Sequence, residues 1–285
     1  MELEQRLQNC RNGGGLVLNI SDLEIDTLKC VLEFPNLREL NVSYTQIKDL
    51  TPVANLTQLQ KLQCYITPIC DLSPVSNLTK LKILYCFRTK VNDLTPLSNL
   101  TQLEELFCSY TQIKDLIPLR NLTQLRIIDC NDTNVFDLSV LSELTNLEKV
   151  DFSFTKVTDL TPLSMLTKIK VLCFTNTQIK DLTPLSMLTK MVRLYCSCTK
   201  VNDLTPLSNM SGIETIALRN TEVENLTPLS HLNKLDTIFC SDTNISDLSP
   251  LKNSINLMEL HAYNTKVTDF SVLDHLVKNG LEIYK

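Results

Sequence analysis

The chain has 285 residues, 43% of them hydrophobic and 21% charged, with a formal net charge of −5. That balance describes a soluble globular protein; it excludes a disordered tail, a membrane-spanning chain and a basic nucleic-acid binder. Eleven cysteines, an odd number, point to reduced thiols in a cytoplasmic setting.

The first residues, Met1-Glu2-Leu3-Glu4-Gln5-Arg6-Leu7-Gln8, interleave charges with isolated leucines, so they predict no signal peptide. Leu3, Leu7 and Cys10 fall at helical spacing and Gly13-Gly14-Gly15 stops that helix, which makes residues 1–14 an N-terminal helical cap. The triple glycine has no Lys-Ser/Thr after it, so it reads as a helix stop, not a phosphate loop. Residues 15–36 form a degenerate first repeat, with Leu18, Ile20, Ile25, Leu28 and Phe34 at inward columns.

From 37 to 277 the chain holds eleven repeats of 22 residues, short of one residue in total. Leu81 to Gln102, LKILYCFRTKVNDLTPLSNLTQ, serves as the type repeat, its residues numbered one to 22. Positions one, four and six are apolar, and the alternation of four and six with polar neighbours predicts a short strand. Position nine is Thr in all eleven repeats, position eleven Ile or Val, and position thirteen Asp except at Asn225. Position fifteen is Ser or Thr except at Ile117, and sixteen is Pro except at Val140 and Val272. The Ser/Thr-Pro step is expected to supply an N-cap oxygen and a preset φ for a helical turn, while the preceding Asp accepts from the turn's free N–H groups. One such coil cannot bury its own apolar face, so coils stack, strand beside parallel strand. After the last repeat the register shortens by one; Gly280 ends a helical turn, and Leu281 with Ile283 makes 278–285 a C-terminal capping strand.

These columns resemble the leucine-rich repeat family, over essentially the whole chain. The closest likeness is to the 22-residue subclass of internalins and the phosphatase-1 regulatory repeat protein, whose Asp-Leu/Ile-Ser/Thr-Pro-Leu segment is seen in Asp93-Leu94-Thr95-Pro96-Leu97. The resemblance implies an α/β fold: a right-handed leucine-rich repeat solenoid with a parallel concave β-sheet and short 3-10/α turns on the convex side. One departure is systematic, since Thr stands at position nine where the family usually has Asn.

Six cysteines, Cys64, Cys86, Cys108, Cys130, Cys196 and Cys240, occupy position six and read as small core hydrophobes. Cys70, Cys173 and Cys198 lie at other columns and are expected to meet solvent. His231, His261 and His275 fall in different columns, and the Asp column reads as turn caps, so the sequence predicts no catalytic residue, no metal site and no cofactor.

Positions three, five, seven and eight are expected to project from the sheet. Ten of the sixteen aromatic residues sit at five, seven or eight, six of them in four successive coils. The candidate partner-binding residues are Tyr44, Tyr65, Ile66, Tyr85, Phe87, Arg88, Phe107 and Tyr110 in that cluster, with Phe154 and Tyr195 beyond it. Rings packing flat on their neighbours are the competing explanation for the same pattern. Charges on these columns are of both signs, which favours a polypeptide partner over nucleic acid or membrane. The chain therefore reads as a non-enzymatic cytoplasmic protein-binding module. Its alternatives are a regulatory subunit of a protein phosphatase, disfavoured by the absence of Trp, and a secreted effector or adhesion protein.

Overall fold

The computed structural model describes residues 1–285, which divide into two compact units, 1–147 and 148–285. The first unit opens with α1 (Glu2–Asn12), whose Leu7 and Cys10 are buried. Six three-residue strands follow: β1 (Val17–Asn19), β2 (Glu39–Asn41), β3 (Lys61–Gln63), β4 (Ile83–Tyr85), β5 (Glu105–Phe107) and β6 (Ile127–Asp129). They pair in chain order, all parallel, so that Leu18, Leu40, Leu62, Leu84, Leu106 and Ile128 stand rung on rung.

The core is the set of columns that the repeat leaves apolar. In the coil that begins at Leu37 the inward residues Leu37, Leu40, Val42, Ile47, Leu50, Val53 and Leu56 are all buried, each contributing roughly 1.5–3 kcal/mol relative to an exposed side chain. Cys64, Cys86, Cys108 and Cys130 extend the Val42 column and are equally buried. Burial raises the Cys86 thiol to about 12 and Cys64 and Cys108 well above the ordinary value, which favours the protonated thiol at these three positions.

Two polar contacts recur within each coil. The position-nine threonines Thr45, Thr67, Thr89, Thr111 and Thr133 are buried, and each hydroxyl donates to the carbonyl of position six at 2.6–2.7 Å. The position-thirteen carboxylates of Asp49, Asp71, Asp93 and Asp115 each accept the N–H two residues on at 2.7–2.8 Å. That N–H opens a 3-10 turn, such as Thr51–Val53 or Thr95–Leu97, with Pro in its first residues.

This corrects the expected capping role of the Ser/Thr at fifteen. The cap position is the leucine before it, which contributes no side-chain bond, and the turn's first N–H is taken by the Asp. Ile117 shows why the hydroxyl is dispensable: the turn Ile117–Leu119 forms on the same Asp115 bond without one.

The second unit repeats the scheme with seven strands: β7 (Lys149–Asp151), β8 (Val171–Cys173), β9 (Arg193–Tyr195), β10 (Thr215–Ala217), β11 (Thr237–Phe239), β12 (Glu259–His261) and β13 (Glu282–Tyr284). These too pair in chain order and parallel. Thr155 to Thr265 keep the position-nine bond at 2.6–3.0 Å. Asn225, the one exception in the Asp column, holds its N–H with the same geometry at 2.8 Å. Phe152 and Phe174 fill the cysteine column as a stacked pair, 5.9 Å between centroids.

The C-terminal register also differs from expectation. Leu260 pairs with Ile283, 23 residues on, so the last coil is longer by one, not shorter. The extra residue is absorbed where α2 (Asp274–Val277) replaces irregular backbone and Gly280 turns the chain at φ 111. No helix is long and apolar enough to cross a membrane.

The Asp caps set a pH dependence. Hydrogen bonds from the residue two on hold Asp49, Asp71, Asp181, Asp203, Asp247 and Asp269 below the ordinary value of 3.8. With folded values depressed, the contribution is present above 3.8 and is lost as pH falls through the folded values. Urea midpoints are expected to be flat from neutral pH down to about 4 and to fall below it. Asp181→Asn, which keeps the N–H acceptor as Asn225 does, is expected to shrink that acid loss.

Candidate functional site

In a parallel sheet the rungs lie about 4.8 Å apart, so aromatic residues at one column of adjacent coils are brought to stacking distance. Tyr85 and Phe107, both at position five, stack at 4.5 Å with an interplanar angle of 15°. Tyr65 and Phe87, both at position seven, stack at 4.3 Å and 11°, and Tyr44 meets Tyr65 edge-on at 5.5 Å. The Lys61 ammonium lies 5.8 Å from the Tyr85 ring centre, and the Arg88 guanidinium lies 4.7 Å from that of Tyr110. Of the first unit's candidates, Tyr44, Ile66, Phe87, Arg88, Phe107 and Tyr110 share one depression, while Tyr65 and Tyr85 lie outside its lining as the stacking partners of Phe87 and Phe107.

That open depression has a volume of about 380 Å³ and is lined by Tyr44, Ile66, Phe87, Arg88, Phe107 and Tyr110, with Ser109, Asp129 and Asn131 as its polar lining. Tyr44 is 50% and Tyr110 45% exposed. The stacked rings of Tyr65, Tyr85, Phe87 and Phe107 are half-buried by one another. Packing and display therefore coexist: four rings make a floor, and Tyr44, Arg88 and Tyr110 stand out from it. Burial, and then the Glu105 carboxylate, raise the Tyr85 phenol above its ordinary value of 10.0.

Position eight has a backbone property that pattern reading did not register. Tyr44, Ile66, Arg88, Tyr110 and Phe154 all have left-handed φ, between 52° and 57°. Each N–H in the first unit's set is held by the position-seven carbonyl of the next coil, at 2.9–3.1 Å for Tyr44, Ile66, Arg88 and Tyr110. Asn and Asp tolerate this conformation, and they fill the same column at Asp132, Asn176, Asn220, Asp242 and Asn264. Those Asn and Asp residues were the sequence signal available. For a β-branched Ile or a large ring the conformation costs on the order of 1–3 kcal/mol.

Phe154 and Tyr195 lie in the second unit. Phe154 is 52% exposed at a left-handed position, and Tyr195 is a half-buried residue of β9. Cys173, expected to meet solvent, is buried: its short side chain lies in the position-five row between Asp151 and Tyr195 of the flanking strands, which overtop it. Ser43 and Ser109 at position seven and Ala217 at position five are likewise covered. Small residues on these columns are covered by larger neighbours even though their side chains point outward.

The histidines do not converge. His261 is stacked between Phe239 and Tyr284 at 4.6 and 4.4 Å, and His275 places Nε2 2.8 Å from the Lys252 carbonyl. No three His, Cys, Asp or Glu side chains are grouped to hold a metal ion.

Stacked parallel coils of 22 residues with an apolar ladder and a displayed strand face define a repeat solenoid. Residues 35–77, 101–143, 145–187 and 167–209 match the family model for leucine-rich repeats in two copies, together more than half of the chain, and the protein belongs to the leucine-rich repeat family. No curated protein matches the sequence. Among solved structures it is similar to internalin F from Listeria monocytogenes, at 24% identity over 94% of this chain and 86% of that one, with a TM-score of 0.85. The functional domain of internalin J from the same organism, which includes a cysteine ladder, is 20% identical over 94% and 72%, with a TM-score of 0.63. The leucine-rich repeat ectodomain of the Arabidopsis thaliana receptor kinase GASSHO1/SCHENGEN3, in complex with CASPARIAN STRIP INTEGRITY FACTOR 2, is 15% identical over 95% and 38%, with a TM-score of 0.78. These likenesses carry the fold; proteins of this family are in general protein-binding modules without an enzymatic role.

The left-handed column yields a direct test. Ile66→Asn is expected to raise stability in urea by roughly 1 kcal/mol through relief of backbone strain. A loss of that size would remove strain as the explanation.

Proposed function

We propose that this protein is a non-enzymatic binding module that takes up a polypeptide partner on the aromatic strand face of residues 1–147. The single observation that carries this reading is the depression at Tyr44, Ile66, Phe87, Arg88, Phe107 and Tyr110, in which large side chains stand exposed on strained backbone above a rigid floor of rings. Aromatic pairs stabilise by about 0.5–1.5 kcal/mol each, so stacking accounts for Tyr65, Tyr85, Phe87 and Phe107. It does not account for left-handed Tyr44, Ile66 and Tyr110. A preformed floor also lowers the ordering cost of association.

The receptor ectodomain GASSHO1/SCHENGEN3 holds a protein partner on the same fold, which supports the class of ligand. The mixed charges of the face and the absence of a basic stripe support a polypeptide over nucleic acid or a membrane surface. Phe154 and Tyr195 are proposed as partner contacts of the second unit. A cytoplasmic location is proposed on the eleven cysteines, none of them in a disulfide.

Tyr85→Ala with Phe107→Ala is expected to abolish partner capture in affinity purification while leaving the circular dichroism of the coils unchanged. Undiminished capture by that double variant would move the site elsewhere. Thiol labelling of the native protein is expected to modify exposed Cys70 and half-exposed Cys198 first, with the buried column reacting only after denaturation. Protein isolated from its host under thiol-blocking conditions is expected to carry eleven free thiols; oxidised cysteines there would argue for a secreted protein.

A further inference from the structure

We propose that the depression recognises an extended polypeptide segment in which an acidic side chain stands beside a large apolar one, the carboxylate being held by Arg88. This rests on the reading of the aromatic face as the binding surface and specifies what it binds.

Arg88 is exposed, and its only recorded side-chain contact is the Tyr110 ring at 4.7 Å; its guanidinium has no hydrogen-bond or ion-pair partner in the chain. Arg6, Arg11 and Lys82 of the same unit differ from it, pairing with Glu2, with Glu4 and Glu33, and with Glu104. Arg88 is thus a positive group with no ion pair of its own, and Asp129 is the one carboxylate that shares its depression. A guanidinium supported by a ring keeps its N–H edges free, and a planar carboxylate matches them with two parallel bonds. Ile66, Phe87, Phe107 and Tyr110 form the apolar side of the depression and Ser109, Asp129 and Asn131 its polar side, so the group carried next to that carboxylate onto the former is apolar.

The depression runs across the coils of β2 to β6 and is open, and Arg88 is the one cation in its lining, so nothing in it is shaped to close round a chain end. The carboxylate is accordingly an Asp or Glu side chain within a segment, not a chain terminus.

The test uses the full chain and a library of terminally blocked nine-residue peptides. Selection is expected to enrich Asp or Glu adjacent to Phe, Leu, Ile or Tyr. By fluorescence anisotropy, Arg88→Gln is expected to weaken a selected peptide about tenfold. Replacing the acidic residue of that peptide by Gln is expected to weaken it equally, and the two changes together by no more than either alone. Arg88 is exposed, so its replacement leaves the coils intact, and Ile66→Asn serves as a folded control with the apolar lining reduced. Peptides that bind and are lost in the Tyr85→Ala/Phe107→Ala protein, yet lack an acidic residue or ignore Arg88→Gln, overturn the carboxylate assignment and leave the face. Preference for peptides with a free C-terminal carboxyl over blocked ones also overturns it. Peptides that bind the Tyr85→Ala/Phe107→Ala protein undiminished overturn the face itself.

Discussion

Parallel pairing in strict register places every residue of a coil about 4.8 Å from its equivalent in the next, and this repetition constrains everything else. A residue type is acceptable at a column only if it can neighbour its own kind. Leucines satisfy that condition on the inside, where Leu62, Leu84 and Leu106 stand in line. Threonine satisfies it at position nine because its hydroxyl donates to a carbonyl of its own coil, as Thr89 does to Cys86, and so asks nothing of its neighbours. A carboxylate column such as Asp49 and Asp71 would be self-repelling, but it lies in solvent and each member is engaged by its own turn.

On the open face the same spacing acts differently. Rings of Tyr85 and Phe107, or Tyr65 and Phe87, meet at 4.3–4.5 Å because the register puts them there, and the result is a stiff surface. Position eight breaks the economy of the repeat: left-handed backbone is easy for Asn176 or Asn220 and costly for Ile66 or Tyr110. Side chains that oppose the backbone they stand on are concentrated where the rings are. Stability and display thus draw on separate columns, so the face can diverge while the core stays fixed.

Much of this was legible in the sequence. A 22-residue period, apolar columns one, four and six, and the Thr and Asp columns give the coils, their parallel pairing and the buried cysteines, because each depends only on side-chain polarity and period. What escaped were features decided by neighbours or by backbone. The Asp49 bond to the turn was readable, but the additional cap expected of Thr51 is missing, because an oxygen two residues ahead reaches the N–H and a hydroxyl on the same residue does not. Cys173 is covered by Asp151 and Tyr195, neither adjacent to it in sequence. The displacement of β13 by one residue follows from α2, a turn that the repeat does not contain. The candidate residues follow from their columns, but the stacking order and the left-handed column depend on how neighbouring coils meet.

The Thr and Asp contacts close within single coils, at separations of three and two residues. A coil therefore carries the side-chain satisfaction of these two columns with it, and what it asks of a neighbour inside is an apolar surface in register and the backbone partners of the ladder, such as the Phe107 carbonyl that accepts the Cys86 N–H. In evolutionary terms the inner half of the Leu81–Gln102 coil is an interchangeable part: duplication or loss of 22 residues would leave the Thr and Asp bonds of the remaining coils in place. Its outer half is not interchangeable, since Tyr85 needs Phe107 and Phe87 needs Tyr65 beside them. Length can thus drift freely among coils with plain faces, while the run from Tyr44 to Tyr110 is locked as a block.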